Sequence, residues 1–165
     1  MDIESAIGEP VLREYTVCMI RIPQDAKLCA PEPSTLRLAL AAGTIRAGFP
    51  SPADDFTVKA LDLNQLLITH PLATFFWKVG GQSMVGAGIH DGDILVVNRA
   101  LAAQHRDIVV AEVDGDFTVK YLYKRAGRVK LLAADATFPE IVFKDGQTLK
   151  ICGVVTSVVK RFRKN

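Results

Sequence analysis

Four turn-forming dipeptides, Asp91-Gly92, Asp114-Gly115, Ala126-Gly127 and Asp145-Gly146, punctuate the second half of this 165-residue chain, with short apolar runs between them. Asp-Gly between such runs is among the strongest short-range hairpin signals, because both residues tolerate the positive φ that a tight two-residue turn demands. The runs predict strands over Thr74–Val79, Asp93–Asn98, Asp107–Val113, Asp116–Tyr123, Arg128–Ala133 and Thr148–Val159, the last long enough to bend near Gly153. Many short strands with little helix between them predict a mainly β fold, either an antiparallel sheet or a partly closed barrel.

Residues 1 to about 52 read differently. Tyr15-Thr16-Val17-Cys18-Met19-Ile20 suits a strand, and Pro31-Glu32-Pro33 then breaks the chain. Ser34 caps an expected short helix through Leu36, Leu38 and Leu40, ending near Gly43. In Gly48-Phe49-Pro50-Ser51-Pro52 each proline fixes its own φ and pushes the residue before it out of the helical region, so the segment is expected to be extended. The whole reads as an N-terminal arm. A second helix is expected from Asp62 to His70, with Leu63, Leu66 and Leu67 on one side and Pro71 stopping it.

A composition that is 49% hydrophobic supplies a real core, and a net charge of +2 is too small for a nucleic-acid footprint. The basic run Lys160-Arg161-Phe162-Arg163-Lys164 reads as a solvated tail, so strong direct DNA binding is not expected. Cys18, Cys29 and Cys152 are odd in number and far apart, which fits neither a zinc site nor a disulfide framework. His70, His90 and His105 lack metal-ligand spacing, so no metal or other cofactor is expected. No stretch approaches the ~18 uninterrupted apolar residues of a membrane-spanning helix, and the chain is expected to be soluble and cytoplasmic.

Three features bear on chemistry. Ser83 sits in Gly80-Gly81-Gln82-Ser83-Met84-Val85-Gly86, where glycines permit a tight bend that exposes a hydroxyl and frees backbone N–H groups to bind an oxyanion. Lys120 lies on a strand, sharing a face with Thr118 and Leu122, and burial would keep its amine neutral enough to act as a base. A small-residue bond, Ala47–Gly48, precedes the extended segment. A nucleophile, a base and a substrate on one chain describe a protein that cuts itself. Each feature alone has an ordinary reading, since strand lysines usually face solvent and serines in glycine-rich turns usually serve the turn. His105 is a rival base, but the polar loop Gln104-His105-Arg106 supplies no carboxylate to orient it. Asp91 and Asp93 flank a glycine, which turn chemistry explains better than a carboxylate pair.

From Gly48 to Lys160 the sequence resembles the LexA/UmuD family of Ser-Lys self-cleaving (S24-type) peptidases, and within it the UmuD proteins of SOS mutagenesis. The resemblance rests on Gly48-Phe49-Pro50-Ser51-Pro52-Ala53, on Asp62-Leu63-Asn64-Gln65-Leu66-Leu67-Ile68, and on Ser83-Met84 followed by Gly88-Ile89. Further on it rests on Asp91-Gly92-Asp93, on Val113-Asp114-Gly115 with Phe117-Thr118-Val119-Lys120, and on Gly153-Val154-Val155 with Val158-Val159-Lys160. It implies that Ser83 is the nucleophile, Lys120 the neutral general base and Ala47–Gly48 the scissile bond. It implies an arm over residues 1–47, removed from a LexA-like peptidase and dimerisation domain over residues 48–165. It also implies a homodimer, a trigger in the RecA filament on single-stranded DNA, and a UmuC-type polymerase partner that copies past lesions. The arm is longer than the family's usual one, which Met19 as the true start would explain, and Ala42–Gly43 is a rival scissile bond.

Other functions fit less well. A LexA-type or phage-type repressor needs a helix-turn-helix reader, for which residues 1–47, with their prolines and one expected short helix, are too few. A signal peptidase would need a membrane anchor. An interaction protein that kept the fold without the chemistry would not need both Ser83 and Lys120.

Overall fold

A computed structural model describes residues 35–41, 47–48, 58–143 and 147–163. The described strands are β1 (Arg37–Ala41), β2 (Val58–Asp62), β3 (Thr74–Lys78), β4 (Ile94–Asn98), β5 (Ile108–Val113), β6 (Asp116–Arg125), β7 (Arg128–Leu132), β8 (Ile141–Val142) and β9 (Leu149–Val159). One helix, α1 (Leu63–Leu67), follows β2, and 3-10 turns cover Pro71–Ala73 and Val85–Ala87.

Seven strands form one antiparallel sheet in the order β3-β4-β9-β5-β6-β7-β8. The fold is mainly β, and all six strands expected in the second half are present. The sheet is open: among the described residues β3 and β8 stand at its two ends and do not pair, so the partly closed barrel is not what forms. β5, β6 and β7 join through two-residue turns in which Asp114 and Ala126, like the glycines after them, take positive φ, as the turn signals require.

The long strand β9 runs between β4 and β5 and bends as expected. Its register slips once against β5, where Cys152 is the extra residue, and once against β4, where Thr156 is. Gly153 sits between these bulges because β4 passes close by; a Cβ there would lie 2.7 Å from the Val97 side chain. Two clusters form the core. One gathers Val79, Met84, Ile89, Leu95, Val97, Val110 and Cys152, the other Val109, Ala111, Leu122, Val129, Leu131 and Val154.

Ahead of this sheet the expectations fared less well. Residues 37–41, expected in a helix capped by Ser34, are strand β1, paired antiparallel with β2. Leucines at every second position follow the period of a strand, not of a helix. Helix α1 starts as expected, with the Asp62 carboxylate accepting the Asn64 N–H at 2.8 Å, but it ends after Leu67 instead of His70. Ile68 and His70 have left the helical region, as the steric demand of Pro71 favours for the residue before it. The expected strand Tyr15–Ile20, the break at Pro31-Glu32-Pro33, the alternative start Met19, the rival bond Ala42–Gly43, Asp145-Gly146 and all of the extended segment beyond Gly48 lie outside the described residues.

Candidate active site

The segment between β3 and β4 carries Ser83 across one face of the sheet. Met84 and Ile89 anchor it: each is 1% exposed and packs among Leu95, Val97, Val110 and Cys152 from three strands. Burial of side chains this size is worth about 1.5–3 kcal/mol each, enough to hold the loop in one place. Polar contacts fix its ends. The Asp91 carboxylate accepts the Gly81 N–H at 2.9 Å, and the Asp93 carboxylate accepts the His90 N–H at 2.8 Å while pairing with Lys160 just beyond β9. The Lys160 ammonium holds the Asp93 carboxyl below its ordinary range, against the opposing effect of burial. Both aspartates therefore serve the loop, and neither is half of a catalytic carboxylate pair.

The Ser83 carbonyl accepts two amides, those of Ala134 at 2.9 Å and Asp135 at 3.2 Å, from the segment after β7. Gly86 makes this approach possible, since a Cβ there would lie 2.4 Å from the Ala134 carbonyl oxygen. With its carbonyl bonded this way, Ser83 keeps its own N–H unused, as does Met84, among the described residues.

Lys120 enters from the middle of β6. It is 8% exposed, and its Nζ lies 2.6 Å from Ser83 Oγ, 3.2 Å from Thr118 Oγ1 and 3.1 Å from the Val119 carbonyl oxygen. No carboxylate pairs with it among the described residues, and burial pushes its pKa down from 10.5. As an ammonium, Lys120 donates to all three neighbours. As a neutral amine it keeps two N–H bonds, which Thr118 Oγ1 and the Val119 carbonyl accept, and its lone pair then faces the Ser83 hydroxyl. The three contacts suit a base without rearrangement.

An open cleft of about 140 Å³ adjoins Ser83. Trp77 and Phe117 form its aromatic wall, with ring centroids 4.8 Å apart, and Val79, Leu95, Val110 and Val119 supply apolar lining. Ala47 and Gly48 are exposed and do not line this cleft, and among the described residues nothing lies within 4 Å of where a Gly48 Cβ would be. His105 is engaged elsewhere: its Nδ1 accepts the Lys124 N–H at 3.2 Å, and its ring stands edge-on to Tyr123.

The structure thus brings Ser83 and Lys120 together and leaves Ala47–Gly48 apart from them. Sequence reasoning missed three contributors. Thr118 was readable, lying two residues before Lys120 on the same strand face. The Ala134–Asp135 clamp and the Trp77–Phe117 wall join distant segments and leave no local signal.

A family model described as Peptidase S24-like matches residues 39–156. Protein ImpA of Escherichia coli is 47% identical over 124 residues, covering 75% of this chain and 84% of ImpA. Protein MucA of Escherichia coli is 45% identical over 68% of this chain and 77% of MucA. Protein SamA of Salmonella typhimurium is 42% identical over 82% of this chain and 96% of SamA.

Proposed function

Because this chain belongs to the Peptidase S24-like family, one of self-cleaving serine peptidases, we propose that it cuts its own backbone between Ala47 and Gly48 with Ser83 and Lys120. The observation that carries this reading is the 2.6 Å contact between Lys120 Nζ and Ser83 Oγ, made by a buried lysine whose pKa burial lowers. Serine–lysine pairs are an established variant of the serine–histidine–aspartate arrangement.

Ser83 Oγ attacks the Ala47 carbonyl carbon while Lys120 takes the hydroxyl proton. The unused Ser83 and Met84 amides serve as donors to the oxyanion. Lys120 returns the proton to the Gly48 nitrogen, the peptide bond breaks, and water then hydrolyses the acyl-enzyme with Lys120 again as base. Because the exposed Ala47–Gly48 bond lies outside the cleft, the arm has to dock before reaction. A RecA filament on single-stranded DNA is the proposed trigger, acting by favouring the docked arm, as a ligand with higher affinity for one state shifts a population. The product, residues 48–165, acts in the cytoplasm as a homodimer and as subunit of an error-prone polymerase with a UmuC-type partner.

The test is intact mass before and after incubation with RecA, single-stranded DNA and a nucleotide analogue. A product beginning at Gly48, absent from Ser83→Ala, is the expected result. An uncut chain, both with the filament and at alkaline pH, would overturn the reading in favour of an interaction protein without the chemistry. A product beginning at Gly43 would move the bond to Ala42–Gly43.

A further inference from the structure

The candidate bond lies in the connection between β1 and β2, residues 42–57. Five residue pairs hold these strands, from Arg37 opposite Asp62 to Ala41 opposite Val58, and they form a two-stranded sheet of their own. No residue of β1 is buried, and Leu36, Leu38 and Leu40 are 64%, 58% and 45% exposed. β2, by contrast, continues directly into α1 and so stays with the body of the protein.

We propose that cutting between Ala47 and Gly48 releases β1 and turns the vacated edge of β2 into a docking site for an extended segment of a partner protein. The inference rests on the cleavage reading above. In the intact chain the connection over residues 42–57 presents β1 to β2 at an effective concentration of order millimolar. After the cut the same pairing is bimolecular, and at micromolar protein its occupancy constant falls about thousandfold. Two-stranded pairing is marginal in water even when connected, and β1 buries no side chain to offset the loss. The ladder that survives connection does not survive cutting.

The bare edge then presents the backbone donors and acceptors of residues 58–62, the arrangement that recruits a partner strand. The register defines what fits. The incoming segment needs an apolar residue opposite Leu61, as Leu38 is now, and a small one opposite Ala60, as Ala39 is now. It gains from a cationic or other donor side chain at Asp62, whose Oδ2 is buried and has no hydrogen-bond partner while β1 is in place. A partner that fills that deficit binds better than the strand it replaces.

The experiment separates this inference from self-cleavage by cutting the chain with an external enzyme. A Ser83→Ala chain with a site-specific protease sequence inserted between residues 47 and 48 is digested and passed over a sizing column at micromolar concentration. The probe is a peptide copying residues 35–41, titrated into the millimolar range that the connection supplied to β1 and read by the backbone amide NMR signals of residues 58–62. We expect the 1–47 fragment to separate, and the peptide to bind the cut chain at least tenfold more tightly than the uncut chain. The same peptide with Ala39→Pro and Leu40→Pro should not bind, since adjacent residues alternate toward and away from β2 and one ladder donor is lost either way. Equal binding to cut and uncut chains, or a fragment that stays attached, would overturn the proposal. A cut chain that self-associates through β2 and ignores the peptide would also overturn it, making a second copy the occupant.

Discussion

The serine-bearing loop and the β1–β2 ribbon sit on one chain but are built to opposite specifications. The loop is anchored by two almost fully buried side chains, fixed at its ends by two carboxylates and clamped at the Ser83 carbonyl by two amides. The ribbon has five residue pairs and an exposed first strand. A self-cutting protein benefits from this asymmetry. In the proposed reaction Ser83 and Lys120 are preorganised, so the barrier that remains is to deliver the bond and to free Lys120 of its proton. Both steps can be controlled from outside without disturbing the catalyst.

The largest expected effect is on the chemistry. Ser83→Ala and Lys120→Ala should each lower self-cleavage by at least about 10³-fold, measured by intact mass, while circular dichroism stays that of the parent. Retained cleavage in either variant would remove that residue from the site.

The next concerns pH. Burial lowers the Lys120 pKa, so the neutral fraction grows about tenfold per pH unit until pH passes the folded-state value, then levels. Spontaneous cleavage should rise with pH up to that point and level beyond it; a rate that falls as pH rises would exclude Lys120 as base. The same depression works against stability. Below the folded pKa the full cost of the buried ammonium is present, and it is relieved as pH rises from that value to 10.5, the range in which the unfolded chain alone keeps the proton. Lys120→Met should therefore be inactive yet more stable at neutral pH by about 1 kcal/mol, with the gain shrinking in alkaline denaturation series.

Gly86→Ala and Gly48→Ala compare the two regions with the same chemical change. At Gly86 the new methyl meets the Ala134 carbonyl, and we expect a loss of about 1–3 kcal/mol in urea unfolding together with slower cleavage. At Gly48 no neighbour among the described residues opposes it, and stability should be unchanged. Gly48→Lys should leave the fold equally intact but block cutting, by denying the close approach of the backbone to Ser83.

The smallest effect is expected in the ribbon. Leu38→Ala should change global stability by no more than about 0.5 kcal/mol, against about 2–5 kcal/mol for Leu131→Ala in the core. A large loss at Leu38 would mean that β1 is held by more than its ladder.

The same contrast governs how much the sequence revealed. In the second half, apolar alternation and turn residues agree, and the strands appeared where those signals put them, within a residue or two at their ends. Ser83 and Lys120 could be paired only because their surroundings resemble a family, since neither residue announces a partner 37 positions away. In the first half, local signals conflicted. A serine cap after prolines suggested a helix through Leu36, Leu38 and Leu40, and the two-residue spacing of those leucines, which is a strand's period, was outweighed until pairing with β2 showed the strand. β2 itself, Val58-Lys59-Ala60-Leu61-Asp62, is short and shows too little alternation to stand out. Contacts that close the site from distant segments, such as Ala134 on Ser83, are not encoded in any local pattern.

Trp77 is the chain's only tryptophan, and it stands in the wall of the cleft beside Ser83. The protein therefore carries its own optical probe at the place where the proposed reaction would bring the arm. Within this chain, emission excited at the red edge of the indole band, beyond tyrosine absorption, comes from this one ring. Displacement of water by a docked segment should shift that emission to shorter wavelength, and in a Ser83→Ala chain the shift would persist because the bond is never cut. Stopped-flow fluorescence, read against a blank of filament alone, can thus time arrival of the substrate separately from its cleavage, without a label.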